Sequence, residues 1–255
     1  MIAYLHGMLG SSAELGLFGD SPSIPFFIPN RFDRKRLGDR YDALAHSISE
    51  RDPGCRIRLV AFSLGARPAL EVAARLGSRV ASVDLIAPAG SLAVVDRSMA
   101  GYPVFVMARD QPLLFDLMTR LQATLARIAP SLLCAGLLKT ARGADLALLH
   151  EPGFRARMAD MLAQCFSDDG RTYRDEINAY VTPWSSLLAT VSQPVTLWHG
   201  TLDNWAPIAM SEHLFEFLPN AVVLHRLEGL SHYSSLRAAL QMIAASYALS
   251  EAADA

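Results

Sequence analysis

Cysteine is scarce in this chain, with Cys55, Cys134 and Cys165 the only three among 255 residues. Their odd number and lack of metal-ligand spacing exclude a disulfide framework and point to reduced thiols. Charge of one sign is lacking too, and a formal net charge of −2 gives no reason to expect a nucleic-acid partner. Apolar runs such as 132–138 fall well short of the roughly 20 residues that span a bilayer. No basic-then-apolar leader is expected at the start, because residues 1–5 read as a strand, and a cytoplasmic location follows as the expectation. Repeats and low-complexity segments are absent, apart from a short Ala/Asp tail at 251–255. Two hundred and fifty-five residues, 51% of them hydrophobic, suffice for one core-bearing domain with an insertion.

The most informative stretch is 59–70, Leu-Val-Ala-Phe-Ser-Leu-Gly-Ala-Arg-Pro-Ala-Leu. An apolar, β-branched run from Ile57 to Phe62 leads into Ser63, Leu64 and Gly65, then into a helical pattern through Leu76. That is the strand–serine–helix layout of a nucleophile elbow, where a sharp turn lifts a hydroxyl above a sheet. Such a backbone demands small residues two before and two after the serine. Gly65 and Ala61 meet that demand.

Upstream, residues 2–5 read as a buried strand and are followed by His6-Gly7-Met8-Leu9-Gly10, a tight loop. A backbone N–H there can point at a developing oxyanion, with Met8 as one donor and Leu64 as the second. Downstream, a strand run at 194–198 precedes His199-Gly200-Thr201-Leu202-Asp203. A last strand at 221–225 precedes Glu228-Gly229-Leu230-Ser231-His232-Tyr233. The order Ser63, Asp203, His232 places each candidate just after a strand.

On these pieces the chain resembles the α/β-hydrolase superfamily over nearly its whole length. The carriers are the His6-Gly7 loop, the elbow at Ser63, the Trp-His-Gly-x-x-Asp segment ending at Asp203, and the Ser231-His232 pair. Pro183-Trp184 with the 194–200 run is similar to a branch of bacterial and plant members mostly described only as hydrolases. The resemblance implies Ser63 as nucleophile, His232 as base, Asp203 as its orienter, and Met8 and Leu64 as oxyanion donors. It implies a small-molecule acyl substrate, with no cofactor or metal. A serine at the elbow argues against the carboxylate-nucleophile members that act on haloalkanes and epoxides. The chain departs from the pattern in starting inside the His6 strand without the usual preceding hairpin, and in carrying Ala61 and Ser231 where glycines are common.

Strand patterns at 2–5, 24–28, 56–62, 80–86, 194–198 and 221–225 alternate with helical patterns at 41–49, 64–76, 207–217 and 235–249. The expected fold is therefore α/β, a mostly parallel sheet of about six strands with helices on both faces. The interval between the strands at 80 and 194 is too long for a loop. Its helical patterns at 112–126, 129–141, 152–165 and 173–188 suggest a cap over the strands' carboxyl ends. The expected division is a core of 1–90 and 191–255 and a helical cap of 91–190.

Each candidate also has a plainer reading. Ser63 suits a tight turn, Asp203 a turn or cap, and His232 the start of the last helix. Asp84 and Asp96 are rival acids, with Asp84 better placed inside a strand. His199 and His6 read as ordering their own loops. In the cap, Met99, Met107, Met118, Met158, Met161, Phe105, Phe115 and Phe154 suit either an apolar pocket or the cap's own packing. Arg97, Arg109, Arg120, Arg127 and Arg142 suit either an anionic substrate or, as scattered charges, a solvated helix face, and Trp205 reads as a wall of the site. Hydrolysis of small or medium carboxylic esters or thioesters leads the functional readings. Carbon–carbon hydrolysis, elimination or peroxidation on the same triad stands beside it, as does ligand binding on a hydrolase scaffold. Nothing in the sequence fixes the oligomeric state.

Overall fold

The computed structural model describes residues 1–19, 24–31, 37–94 and 97–254. Six strands form one parallel sheet: β1 (Ile2–Leu5), β2 (Phe26–Phe27), β3 (Ile57–Phe62), β4 (Val80–Ile86), β5 (Val195–Gly200) and β6 (Ala221–Leu227). Their spatial order is β2-β1-β3-β4-β5-β6, and every pairing is parallel. Parallel strands are covered on both faces, so the central ones are continuous apolar runs. The central strand β3, Ile-Arg-Leu-Val-Ala-Phe, is buried at every position except Arg58.

Alternation along each strand sorts side chains onto two cores. Leu5, Leu59, Ala61, Leu85 and Leu197 face α1 (Leu37–Arg51) and α2 (Ala66–Leu76). Tyr4, Val60, Phe62, Ile86 and Trp198 face α10 (His232–Asp254). Helix α2 approaches the sheet closely because Ala66, Ala69 and Ala73 line its fully buried face. It ends at Gly77, whose φ of 53° suits a residue without Cβ.

Between β4 and β5 lie α3 (Tyr102–Asp110), α4 (Pro112–Ile128), α5 (Pro130–Leu138), α6 (Asp145–Leu148), α7 (Phe154–Cys165) and α8 (Arg171–Val181). α9 (Ala209–Phe217) follows β5. A third core joins Phe105, Phe115, Phe166, Tyr173 and Ile177 of this insertion to Leu64, Ala206 and Met210. Charge fastens the insertion as well. Glu176 of α8 sits between Arg31 at 2.9 Å and Arg40 at 2.7 Å, all three side chains buried. Arg67 of α2 donates to the Ala179 carbonyl at the far end of α8.

The expected elements differ from the structure in detail. The 24–28 strand is reduced to the pair Phe26–Phe27. The 173–188 helix is split, with α8 ending at Val181 and a 3-10 turn at Ser185–Thr190. Pro183 is the cause: it drives Thr182 to an extended φ −76°, ψ 134°. Helices α3 and α6 carried no pattern strong enough to foresee. The last helix begins three residues early, at His232 itself. Asp96 lies outside the described residues.

Candidate active site

Ser63 occupies the turn between β3 and α2 with φ +52°, in the left-handed region that residues with a Cβ rarely adopt. The surroundings enforce it. A Cβ on Gly65 would lie 2.3 Å from the Leu5 carbonyl oxygen, so no larger residue fits two positions on. The 7–10 loop after β1 abuts the serine, since a Cβ on Gly7 would stand 3.1 Å from that of Ser63.

The loop after β6 brings His232 to the serine. Nε2 of His232 lies 3.1 Å from Ser63 Oγ, and Nδ1 lies 2.7 Å from Asp203 Oδ2. The other carboxylate oxygen, Asp203 Oδ1, accepts the amides of Trp205 at 2.8 Å and Ala206 at 3.0 Å. Both oxygens are thereby fixed. The three side chains expected from the sequence do meet, although they come from positions up to 169 residues apart.

Electrostatics favours a proton on the imidazole side of the pair. Burial alone raises a carboxyl, but the facing His232 charge and hydrogen bonds from His199 and His232 prevail and hold Asp203 well below the usual carboxylate range. Burial lowers an imidazole, yet attraction to Asp203, with Asp145 and Glu14 further out, lifts His232 above its ordinary value. The ring is clamped between Phe62, at 4.6 Å between centroids, and Trp205, stacked at 5.6 Å. Trp205 is thus a wall of the site, as its position two residues past Asp203 suggested.

Met8 and Leu64, expected on either side of the oxyanion, both line the cavity that opens above Ser63. That cavity has a volume of about 390 Å³. Met99 and Phe105 from the insertion line it too, together with Leu133 and Ile177. The other candidates from the insertion divide otherwise: Met158, Met161, Phe115 and Phe154 are packed in the cores, and Met118 is exposed. Arg109, Arg120 and Arg127 form ion pairs with Asp110, Asp116 and Asp169. Such exposed pairs contribute at most about 1 kcal/mol each.

The remaining histidines near the site are structural. His199 donates from Nε2 to the Ala206 carbonyl at 2.6 Å and accepts the Ser211 hydroxyl at Nδ1, also at 2.6 Å. His6 donates from Nδ1 to the Gly7 carbonyl at 2.8 Å, and burial, aided by Arg31, lowers it to about 3. Asp84 is occupied inside β4 by Trp198 Nε1 at 3.1 Å and Arg58 at 2.7 Å.

Neither a family model nor a curated protein matches the sequence. Solved structures do match its course. An esterase from Thermogutta terrifontis aligns with a TM-score of 0.65 at 14% identity, over 95% of this chain and 87% of its own. The enol-lactonase from Burkholderia xenovorans LB400 aligns at 0.63 and 16% identity, over 97% and 89%. MenH from S. aureus aligns at 0.60 and 15% identity, over 95% and 91%.

The chain has the α/β-hydrolase fold. Within the α/β-hydrolase frame, two buried acids supporting the site went unseen in the sequence. Glu14 reaches under the 7–10 loop, where its Oε1 accepts the Gly7 amide at 2.9 Å and the Tyr4 hydroxyl at 2.6 Å. Burial pushes its carboxyl up to about 7. The Ser-x-x-Glu spacing from Ser11 to Glu14 reads as a capping box. Ser11 does cap the turn, accepting the Ala13 amide, but Glu14 turns to Gly7. Asp145 of α6 accepts the amides of Tyr233 at 3.1 Å and Ser234 at 2.7 Å, in the first turn of the helix that His232 begins. No local pattern signals a contact across 88 residues.

Proposed function

We propose that this chain is a serine hydrolase that cleaves carboxylic esters or thioesters with an apolar acyl part through an acyl-enzyme. The observation that carries the reading is the continuous hydrogen-bonded run Ser63–His232–Asp203 beneath an apolar cavity. In this reading His232 Nε2 takes the Ser63 proton as Oγ attacks the carbonyl carbon. Asp203 keeps the other proton on Nδ1 and stabilises the imidazolium. The amides of Met8 and Leu64 hold the oxyanion, a role worth roughly 3–4 kcal/mol per donor in comparable sites. His232 then returns its proton to the departing alcohol or thiol. A water activated by the same nitrogen releases the acid.

The segment 91–190 serves as the cap that selects the acyl part, because Met99, Phe105, Leu133 and Ile177 are among the apolar side chains it contributes to the cavity wall. Fold neighbours named as an esterase and an enol-lactonase support acyl-transfer chemistry. The test is labelling by a fluorophosphonate probe, beside Ser63→Ala, with peptide mapping. Stoichiometric label on Ser63 is expected. A folded protein that stays unlabelled, or that labels elsewhere, overturns the reading.

A further inference from the structure

The insertion displays an apolar face that its own core does not use. On α4, Leu113 is 88% and Ile128 74% exposed, and Leu114, Leu117 and Leu121 are exposed with them. At 100° per residue, Leu113, Leu117, Leu121 and Ile128 fall on one stripe, with Leu114 at its edge. The buried residues of α4, which are Phe115, Thr119, Ala123 and Ala126, occupy the opposite side. The stripe runs beside the cavity-lining edge of the helix, since Leu125 lies one turn beyond Leu121. Gln122 and Leu125 line the cavity from α4, and Leu132, Gly136 and Thr140 line it from α5 and its end. Leu132 is itself 63% exposed. Helices α4 and α5 are bent by 118° at Ala129-Pro130, and no single described helix is long and apolar enough to cross a membrane.

Charge distinguishes the possible occupants. Residues 97–142 carry six basic side chains and two acidic ones, in a chain whose formal net charge is −2. Arg109, Arg120 and Arg127 are paired with aspartates. Lys139 and Arg142, just past α5 beside the cavity-lining Thr140, are exposed and pair with no acid among the described residues. An anionic surface over a thin apolar layer matches both features at once.

We infer that the α4–α5 face docks on an anionic lipid surface, with Leu113, Leu117, Leu121 and Ile128 in the acyl boundary and Lys139 and Arg142 at the headgroups. Docked so, the cavity lip at Leu125 and Leu132 lies against the lipid, and an amphiphile passes into the site without crossing water. The substrate class that follows is a lipid-dissolved acyl ester. This last step rests on the proposed hydrolase activity; the docking itself does not.

Flotation with vesicles tests it, using Ser63→Ala protein so that turnover plays no part. Vesicles of phosphatidylcholine with phosphatidylglycerol are expected to carry the protein, about tenfold better than phosphatidylcholine alone, and salt to weaken the binding. Leu117→Gln/Ile128→Gln and Lys139→Glu/Arg142→Glu are each expected to reduce binding by about tenfold. Leu113→Gln, at the most exposed position, is the fallback if a double variant unfolds. Ser63→Ala protein that stays with neither vesicle, or further variants that float as well as it does, overturn the inference. So does a dimer in light scattering that Leu117→Gln/Ile128→Gln dissolves, since a second copy would then cover the face. Failure of Ser63 to label would leave the flotation result standing and remove only the substrate class.

Discussion

The Tyr4 hydroxyl donates to Glu14 Oε1 at 2.6 Å, joining the first strand to the turn beneath the 7–10 loop. Both side chains are buried, and the carboxyl takes up its proton near pH 7 where an ordinary one does so near 4.5. The folded state therefore binds this proton more tightly than the unfolded chain. Its contribution is complete below about pH 4.5 and is lost as pH rises toward 7, by about 3 kcal/mol. Glu14→Gln cannot titrate and should remove that slope. Denaturant unfolding of both proteins between these pH values checks it; equal slopes would show that Glu14 does not carry the effect.

Asp203→Asn keeps Oδ1 for the Trp205 and Ala206 amides but no longer fixes the His232 proton on Nδ1. Ester turnover should fall by about 10⁴, with little change in the unfolding transition. Near-normal rates would mean that another carboxylate serves His232.

The pH profile of kcat/KM offers a separate check on the same pair. In the proposed mechanism His232 must be neutral to accept the Ser63 proton, and Asp203 raises its affinity for one. Activity should fall on acidification with a midpoint above the ordinary 6.5 of histidine. A midpoint below that value would mean burial outweighs Asp203.

Asp145→Ala removes the acceptor for two amides and the Ser234 hydroxyl. A stability loss of about 1–3 kcal/mol is expected from the orphaned donors. Because those donors begin the helix that carries His232, kcat should fall more than KM rises. Asp145→Asn, which retains an acceptor oxygen, should recover most of the loss. A variant that loses stability alone would confine Asp145 to the fold.

Gly65→Ala sets a methyl 2.3 Å from the Leu5 carbonyl and 2.8 Å from that of His6. Both are backbone atoms of the strand end and cannot swing aside. The cost should exceed about 2 kcal/mol, and fluorophosphonate labelling of any folded fraction should slow. Wild-type stability would show that the strand end yields readily.

Ser63, Asp203 and His232 were legible because each follows a strand, and strand ends of a parallel sheet gather on one side. The six strands were legible from runs such as Ile57–Phe62, whose burial on both faces leaves few polar interruptions. Where the sequence misled, distant contacts decided. Glu14 drew no reading of its own, because its partner Gly7 is brought to it by the fold of the loop. The start of α10 was read at Ser235, since no local pattern signals an acceptor in α6 for the amides just after His232. Among the insertion's apolar residues, periodicity could not separate Phe105, which lines the cavity, from Phe115, which fills the core.

Glu176 held between Arg31 and Arg40 also limits how the protein can breathe. Swinging the insertion away as a hinged plate would part Glu176 from both arginines and give up two buried ion pairs at once. A rigid-body opening of the whole insertion is therefore disfavoured while these pairs hold.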